Sequence, residues 1–246
     1  MRSVYEIYRI GHGPSSSHTM GPRKAAEFFL KGHAAAAEFR VTLYGSLAAT
    51  GKGHLTHLAI TEVLQEKAPV EICWKPDVVL PLHPNGMKFE ALDNRGCTTG
   101  EWTVFSIGGG ALMGEDRKII DTTPVPVHEY ELETMTEILH WCERTGKSYW
   151  EYVFEHEDEN LYDYLREVWT TMQDAVCRGL ETEGVLPGPL NLRRKAPTYY
   201  IKAMGYKQSV QTRALVFSYA LAVSEENAGG GKIVTAPTCG SCGVLP

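Results

Sequence analysis

The 246-residue sequence has no excess of positive charge: 24 lysines and arginines stand against 30 aspartates and glutamates, a formal net charge of -6. Without a basic field, neither a nucleic-acid backbone nor an anionic membrane surface is an expected partner. No apolar run approaches the ~18 residues of a membrane span, and Met1-Arg2-Ser3-Val4-Tyr5-Glu6 lacks the long apolar core of a secretory leader, so the chain reads as cytoplasmic. Cysteine is scarce and scattered, at 73, 97, 142, 177, 239 and 242, and only the last two form a C-x-x-C pair. In a reducing compartment this spacing gives single thiols plus one candidate redox or metal pair, not a disulfide framework. A lone C-x-x-C is short of the four ligands of a tetrahedral zinc site, and two thiolates are too few for a cubane iron–sulfur cluster. Acidic residues are missing beside His18, His54 and His83, so nothing local suggests a Ser-His-Asp hydrolase.

What the sequence does have is a composition of 43% hydrophobic and 22% charged residues, that of a globular chain long enough to bury a core. One stretch, His12-Gly13-Pro14-Ser15-Ser16-Ser17-His18-Thr19-Met20-Gly21-Pro22, is rich in hydroxyls, imidazoles and turn formers just before a helix start. Such a loop can hold a small polar or anionic ligand at a helix N-terminus, or it can simply cap the helix. Three further glycine-rich loops follow: Gly45–His54, which delivers His54 to a helix; Pro81–Gly86, with His83 and Asn85; and Ser106–Gly110.

Periodicity places helices at 22–31 and 55–66 and strands at 39–44, 87–92 and 101–105. The polar loops thus sit at strand ends, where open α/β sheets carry their sites. From Pro124 the pattern changes to helices at about 131–145, 147–156, 160–181 and 207–226 with no convincing strand, and the junction is placed near 122–130. The fold expected is α+β: an α/β domain over 1–125, with its polar loops placed for substrate binding, and an all-helical domain over 126–246. The stripe Leu161, Leu165, Val168, Trp169, Met172 and Val176 reads as core. The stretch around Pro187 and Pro189 reads as a linker, and Arg193-Arg194-Lys195 as a solvated face. Toward the end, Gly229-Gly230-Gly231 through Cys242 looks like a glycine-rich, cysteine-bearing approach to a further helix.

Six segments together carry a family resemblance: GHGPSSSHTMGP at 11–22, YGSLAATGKGH at 44–54, LHPNGM at 82–87, SIGGG at 106–110, TEGVLPGPL at 182–190 and EENAGGGKIVTAPTCGSCG at 225–243. In this order they resemble the bacterial iron-sulfur L-serine dehydratases. The resemblance implies conversion of L-serine to pyruvate and ammonia with a [4Fe-4S] cluster and no pyridoxal phosphate. It implies His54 as the base and His18 as its catalytic companion. Ser16, Ser17, Thr19, His83, Asn85, Ser106 and Thr238 are expected to line the substrate pocket. Cys242 matches the cluster ligand of the last loop; Cys239 stands where the commoner pattern has asparagine, and its role as a ligand is open. Members of that family continue through further helices with the remaining cluster cysteines. The helical domain is therefore expected to be incomplete here and the chain inactive alone, working as a homodimer or with a companion chain. The alternative is a serine-binding sensor module without turnover, against which stand His54 and Cys242, neither of which a sensor needs.

Overall fold

Residues 3–120, 130–188 and 190–236 are described by the computed structural model. The elements in chain order are β1 (Arg9–His12), α1 (Gly21–Gly32), β2 (Glu38–Tyr44), α2 (Gly45–Thr50), α3 (Thr56–Leu64), β3 (Val70–Lys75), β4 (Gly86–Leu92), β5 (Thr98–Gly108), β6 (Ala111–Gly114), β7 (Ile119–Ile120), α4 (Met135–Thr145), α5 (Tyr149–His156), α6 (Leu161–Glu181), α7 (Ala196–Met204), α8 (Gln208–Ala228) and β8 (Lys232–Thr235). The α+β expectation holds, with helices filling the C-terminal part. The expected junction falls almost wholly on 121–129, outside the described residues.

Alternation drives the main sheet. Phe39, Val41 and Leu43 of β2 point one way and pair across to Ala91, Phe89 and Met87 of β4, all of them fully buried. Onto this face pack Ala25, Ala26 and Phe29 of α1, Leu47 and Ala48 of α2, and Ile60, Val63 and Leu64 of α3. The opposite face is polar, with the pairs Arg40–Glu71 at 2.6 Å and Lys88–Glu101 at 2.8 Å. Six strands run in the order β3-β2-β4-β5-β6-β7; only β2 and β3 are parallel, joined by the α2–α3 crossover.

The second sheet is a two-stranded ribbon whose partners lie more than 200 residues apart: β1 pairs antiparallel with β8, Arg9 opposite Thr235 and His12 opposite Lys232. Three sequence expectations are corrected here. A strand does occur beyond Pro124, because β8 is completed by a distant partner that no local pattern announces. Trp169 is 52% exposed; the buried stripe of α6 instead runs through Leu161, Val168, Thr171, Ala175 and Gly179, where the missing side chain of Gly179 lets α8 approach at Ala222. The stretch Gly45–Thr50, expected as loop, is a helical turn, and α7 begins directly after Arg193-Arg194-Lys195.

The chain's first residues are fastened to the helical region. Glu157 accepts from Ser3 Oγ at 2.8 Å, from the Val4 N–H at 2.8 Å and from Tyr130 Oη at 2.5 Å. Tyr164 Oη donates to the Tyr8 carbonyl at 2.6 Å, and burial raises its phenol to about 12. No helix among the described residues is long and apolar enough to cross a membrane.

Candidate functional site

The loop from His12 leads into a π-helical turn, Ser16–Met20, followed directly by α1. Ser15 starts the turn by accepting the His18 N–H on its hydroxyl at 3.2 Å. Met20 ends it, buried with Ala175 of α6, Val223 of α8 and Ile233 of β8. The turn is therefore pinned between the sheet domain and the helices, with His18 half-buried at its centre.

His18 is bracketed by hydroxyls. Ser17 Oγ lies 3.0 Å from Nδ1 and Ser46 Oγ 3.1 Å from Nε2. Burial, and then the neighbouring His54, push its pKa below the ordinary value of 6.5, so the ring is neutral at pH 7. His54 stacks obliquely beside it, ring centroids 4.8 Å apart. His54 sits at a sharp corner before α3, where the next residue, Leu55, takes the left-handed conformation at φ 58°. Its Nδ1 is enclosed and has no hydrogen-bond partner.

A second group is built on the β4–β5 edge. Asn85 is buried, its Nδ2 donating to the Ser106 carbonyl at 3.2 Å while its own carbonyl accepts the Ser106 N–H at 3.0 Å. The Asn85 N–H donates to His83 Nδ1 at 3.1 Å, which makes that nitrogen an acceptor, and burial lowers the His83 pKa. The Ser106 side chain is wholly buried and its Oγ unpartnered; it lies against Gly21, where an added methyl would collide with it.

Ser46 joins the two groups. Its N–H donates to the Pro84 carbonyl at 3.0 Å and its hydroxyl meets His18. This requires Gly45 at φ 49°, against the same carbonyl, a place where a side chain meets both strain and contact at 2.6 Å. Thus His18, His54, His83, Asn85 and Ser106, drawn from four separate loops, are linked through one residue.

The remaining expected residues are placed as follows. Ser16 is half-buried at the start of the turn, its carbonyl accepting the Gly21 N–H. Ser17 faces His18, as above. Thr19 is buried and its hydroxyl donates to the His54 carbonyl at 2.7 Å, so its hydrogen is committed within the protein. Thr238, Cys239 and Cys242 lie outside the described residues. Sequence reading missed Ser46 and Thr56, although both lie in or next to the quoted YGSLAATGKGH segment; Ser46 was signalled by the glycine before it.

Among the described residues no three His, Cys, Asp or Glu side chains come together to hold a metal ion. Cys73 in β3, Cys97 in the β4–β5 turn, Cys142 in α4 and Cys177 in α6 are free thiols. The described residues alone do not fit an iron-sulfur cluster, which demands a converging set of thiolates.

Comparison with known proteins matches residues 3–73 to the serine dehydratase beta chain and residues 56–246 to the serine dehydratase alpha chain. L-serine dehydratase 1 of Escherichia coli is 34% identical over 295 aligned positions, covering 100% of this chain and 65% of the relative. The L-serine dehydratase of Streptomyces coelicolor is 34% identical, covering 99% and 64%, and that of Helicobacter pylori 30% identical, covering 99% and 64%. The chain thus spans just under two thirds of these relatives' length.

Proposed function

Because the chain belongs to the serine dehydratase family, we propose that it carries the histidine wall of an L-serine dehydratase site, removing the α-proton of L-serine so that water is lost and pyruvate and ammonia form. The single observation that carries this reading is the His18–His54 pair, with its orphaned Nδ1 on His54. With its proton on Nε2, His54 keeps on the unpaired Nδ1 a lone pair free to accept another. His54 is therefore the base. It takes the proton from Cα, the electron pair forms the Cα–Cβ double bond, and the Cβ–O bond breaks; the departing hydroxide takes that proton back from the protonated His54 and leaves as water, which returns the imidazole to its neutral form. Aminoacrylate tautomerises to the imine, which hydrolyses to pyruvate and ammonia.

His18, neutral between two serine hydroxyls, holds the wall beside His54 and accepts or donates a hydrogen bond to the amino acid. Ser16, Ser17, His83, Asn85 and Ser106 orient the substrate's carboxylate and amino group, and the unpartnered Ser106 Oγ has a hydrogen bond to give. Thr238 belongs to the same proposed pocket, and Thr19 acts behind it. The cofactor proposed is a [4Fe-4S] cluster, with Cys242 as a ligand and Cys239 as a possible further one; when bound it supplies a Lewis acid for the hydroxyl. The described residues do not assemble that cluster, so each step above rests on side chains of this chain. Pyridoxal phosphate is not part of the proposal, nor is a nucleic-acid partner or membrane attachment, and the proposed location is the cytoplasm. The working unit is proposed to be a homodimer or a pair with a companion chain completing the helical domain.

The test is a pyruvate assay with the anaerobically reconstituted chain, supplied in trans with the C-terminal third of the E. coli relative. Turnover that His54→Ala lowers by at least 10³-fold supports the reading, within the scale at which proton-transfer groups act. A His54→Ala variant that keeps wild-type kcat overturns it. Binding of L-serine with no turnover in any combination would favour the sensor-type module.

A further inference from the structure

The two histidines are held by a crossed pair of threonine hydroxyls. Thr19, next to His18, donates from Oγ1 to the carbonyl of His54 at 2.7 Å. Thr56, two residues after His54, donates from Oγ1 to the carbonyl of His18 at 2.5 Å. Each threonine thus fastens the backbone of the histidine on the other segment. Both threonines are buried, so no water competes for either hydroxyl. Neither segment is fixed by a sheet ladder at this point: His18 is inside a π-helical turn and His54 precedes a left-handed leucine. A left-handed non-glycine residue is strained and persists only where its surroundings over-determine it. Around Leu55, backbone bonds from the His54 N–H to the Thr50 carbonyl at 3.2 Å and from the Thr56 N–H to the Gly51 carbonyl at 2.8 Å hold the corner within its own segment, and the two threonine hydroxyls are what tie it to the segment of His18.

From this juxtaposition we propose that Thr56 and Thr19 are positioning residues, whose crossed hydroxyl–carbonyl bonds set the distance and tilt between the His18 and His54 rings. They touch no substrate; they act through the histidines. The proposal rests on the reading of His54 as base only for its catalytic consequence, since the ring geometry is measurable without turnover. A displacement of about 1 Å at a reacting group can lower the rate about 100-fold.

The experiment uses the chain labelled at histidine, alone in solution, as wild type, Thr56→Val, Thr56→Ser and Thr19→Val. The readout is the nuclear Overhauser cross-peak between the His18 and His54 ring protons, with far-UV circular dichroism reporting folding. Thr56→Val keeps the shape and removes the donor; Thr56→Ser keeps the donor. The expected result is a cross-peak at least threefold weaker in Thr56→Val and Thr19→Val and within twofold of wild type in Thr56→Ser. Persistence of the peak in both valine variants, or its loss in the serine variant, overturns the proposal. Should Thr56→Val not fold, Thr19→Val against Thr56→Ser carries the same comparison. In the complemented pyruvate assay Thr56→Val is expected to lower kcat 10–100-fold with KM within threefold. Loosened rings with unchanged kcat would instead count against His54 as base, leaving the clamp standing.

Discussion

At the level of single residues, burial disfavours the charged form of two histidines of the site, His18 and His83, and of His57 in α3. His18, His57 and His83 all have pKa values pushed below 6.5, first by burial; His54 adds to the shift on His18, and Lys52 to that on His57. A histidine whose folded pKa is depressed binds a proton more readily in the unfolded chain. The stability it contributes is complete above about 6.5 and is lost as pH falls through the folded pKa. Glu137 and Glu151, with carboxyls held low by their capping hydrogen bonds, lose their contribution only in the more acidic carboxylate range. Urea unfolding between pH 7.5 and 5.5 is therefore expected to show stability falling with acid, with a shallower slope in His18→Gln. A flat profile over that window would contradict the buried, neutral histidines. The sequence alone made His18, His54, His83, Asn85 and Ser106 legible, because glycine, proline and hydroxyl clusters next to imidazoles serve no core. What it hid were Ser46 and Thr56. Small hydroxyl residues are common, and their meaning lies in which distant carbonyl or ring they meet.

At the level of elements, the loop that bears His12 to His18 is held by the ribbon of β1 and β8, and the ribbon is held by charge. Glu226 at the end of α8 is buried between Arg194 at 2.9 Å and Arg178 at 3.1 Å, and Arg178 also donates to the Lys232 carbonyl at the start of β8. Beside it Glu225 accepts the N–H groups of Lys195 and Ala196, capping α7. The basic cluster expected as a solvated face thus has one of its arginines inside, a result of partners more than 30 residues away. Removing one side of a buried ion pair leaves the other uncompensated, at about 3–5 kcal/mol. Glu226→Ala is expected to lower unfolding stability by about 3 kcal/mol. It should also speed amide exchange at Arg9–His12 more than in β2 or β4. Equal acceleration in the large sheet would mean that the ribbon is not the element Glu226 secures. Gly45→Ala belongs to the same level: strain at φ 49° plus contact with Pro84 is expected to cost more than 1 kcal/mol and to disturb Ser46 and its bond to His18.

At the level of the whole molecule, the two parts differ in how their apolar surface is covered. The main sheet buries its apolar face under α1, α2 and α3. The helical part leaves Tyr199, Ile201, Met204, Val210, Val216 and Phe217 of α7 and α8 exposed, Ile201 at 71%. A patch of this kind is more than isolated surface residues need, and it calls for a partner. About a third of the relatives' length is not covered by this chain, and polypeptide equivalent to that third is the occupant proposed here. In pull-down and size-exclusion experiments, the C-terminal third of the E. coli relative is expected to co-elute with the chain as a defined complex. The double substitution Ile201→Glu and Phe217→Glu should weaken that association at least 100-fold while leaving the circular dichroism of the chain unchanged, since neither side chain is in the core. Iron bound per chain should rise toward cluster stoichiometry only in the complex. Full iron loading of the chain without its complement, or association indifferent to both substitutions, would show that this apolar face serves another purpose.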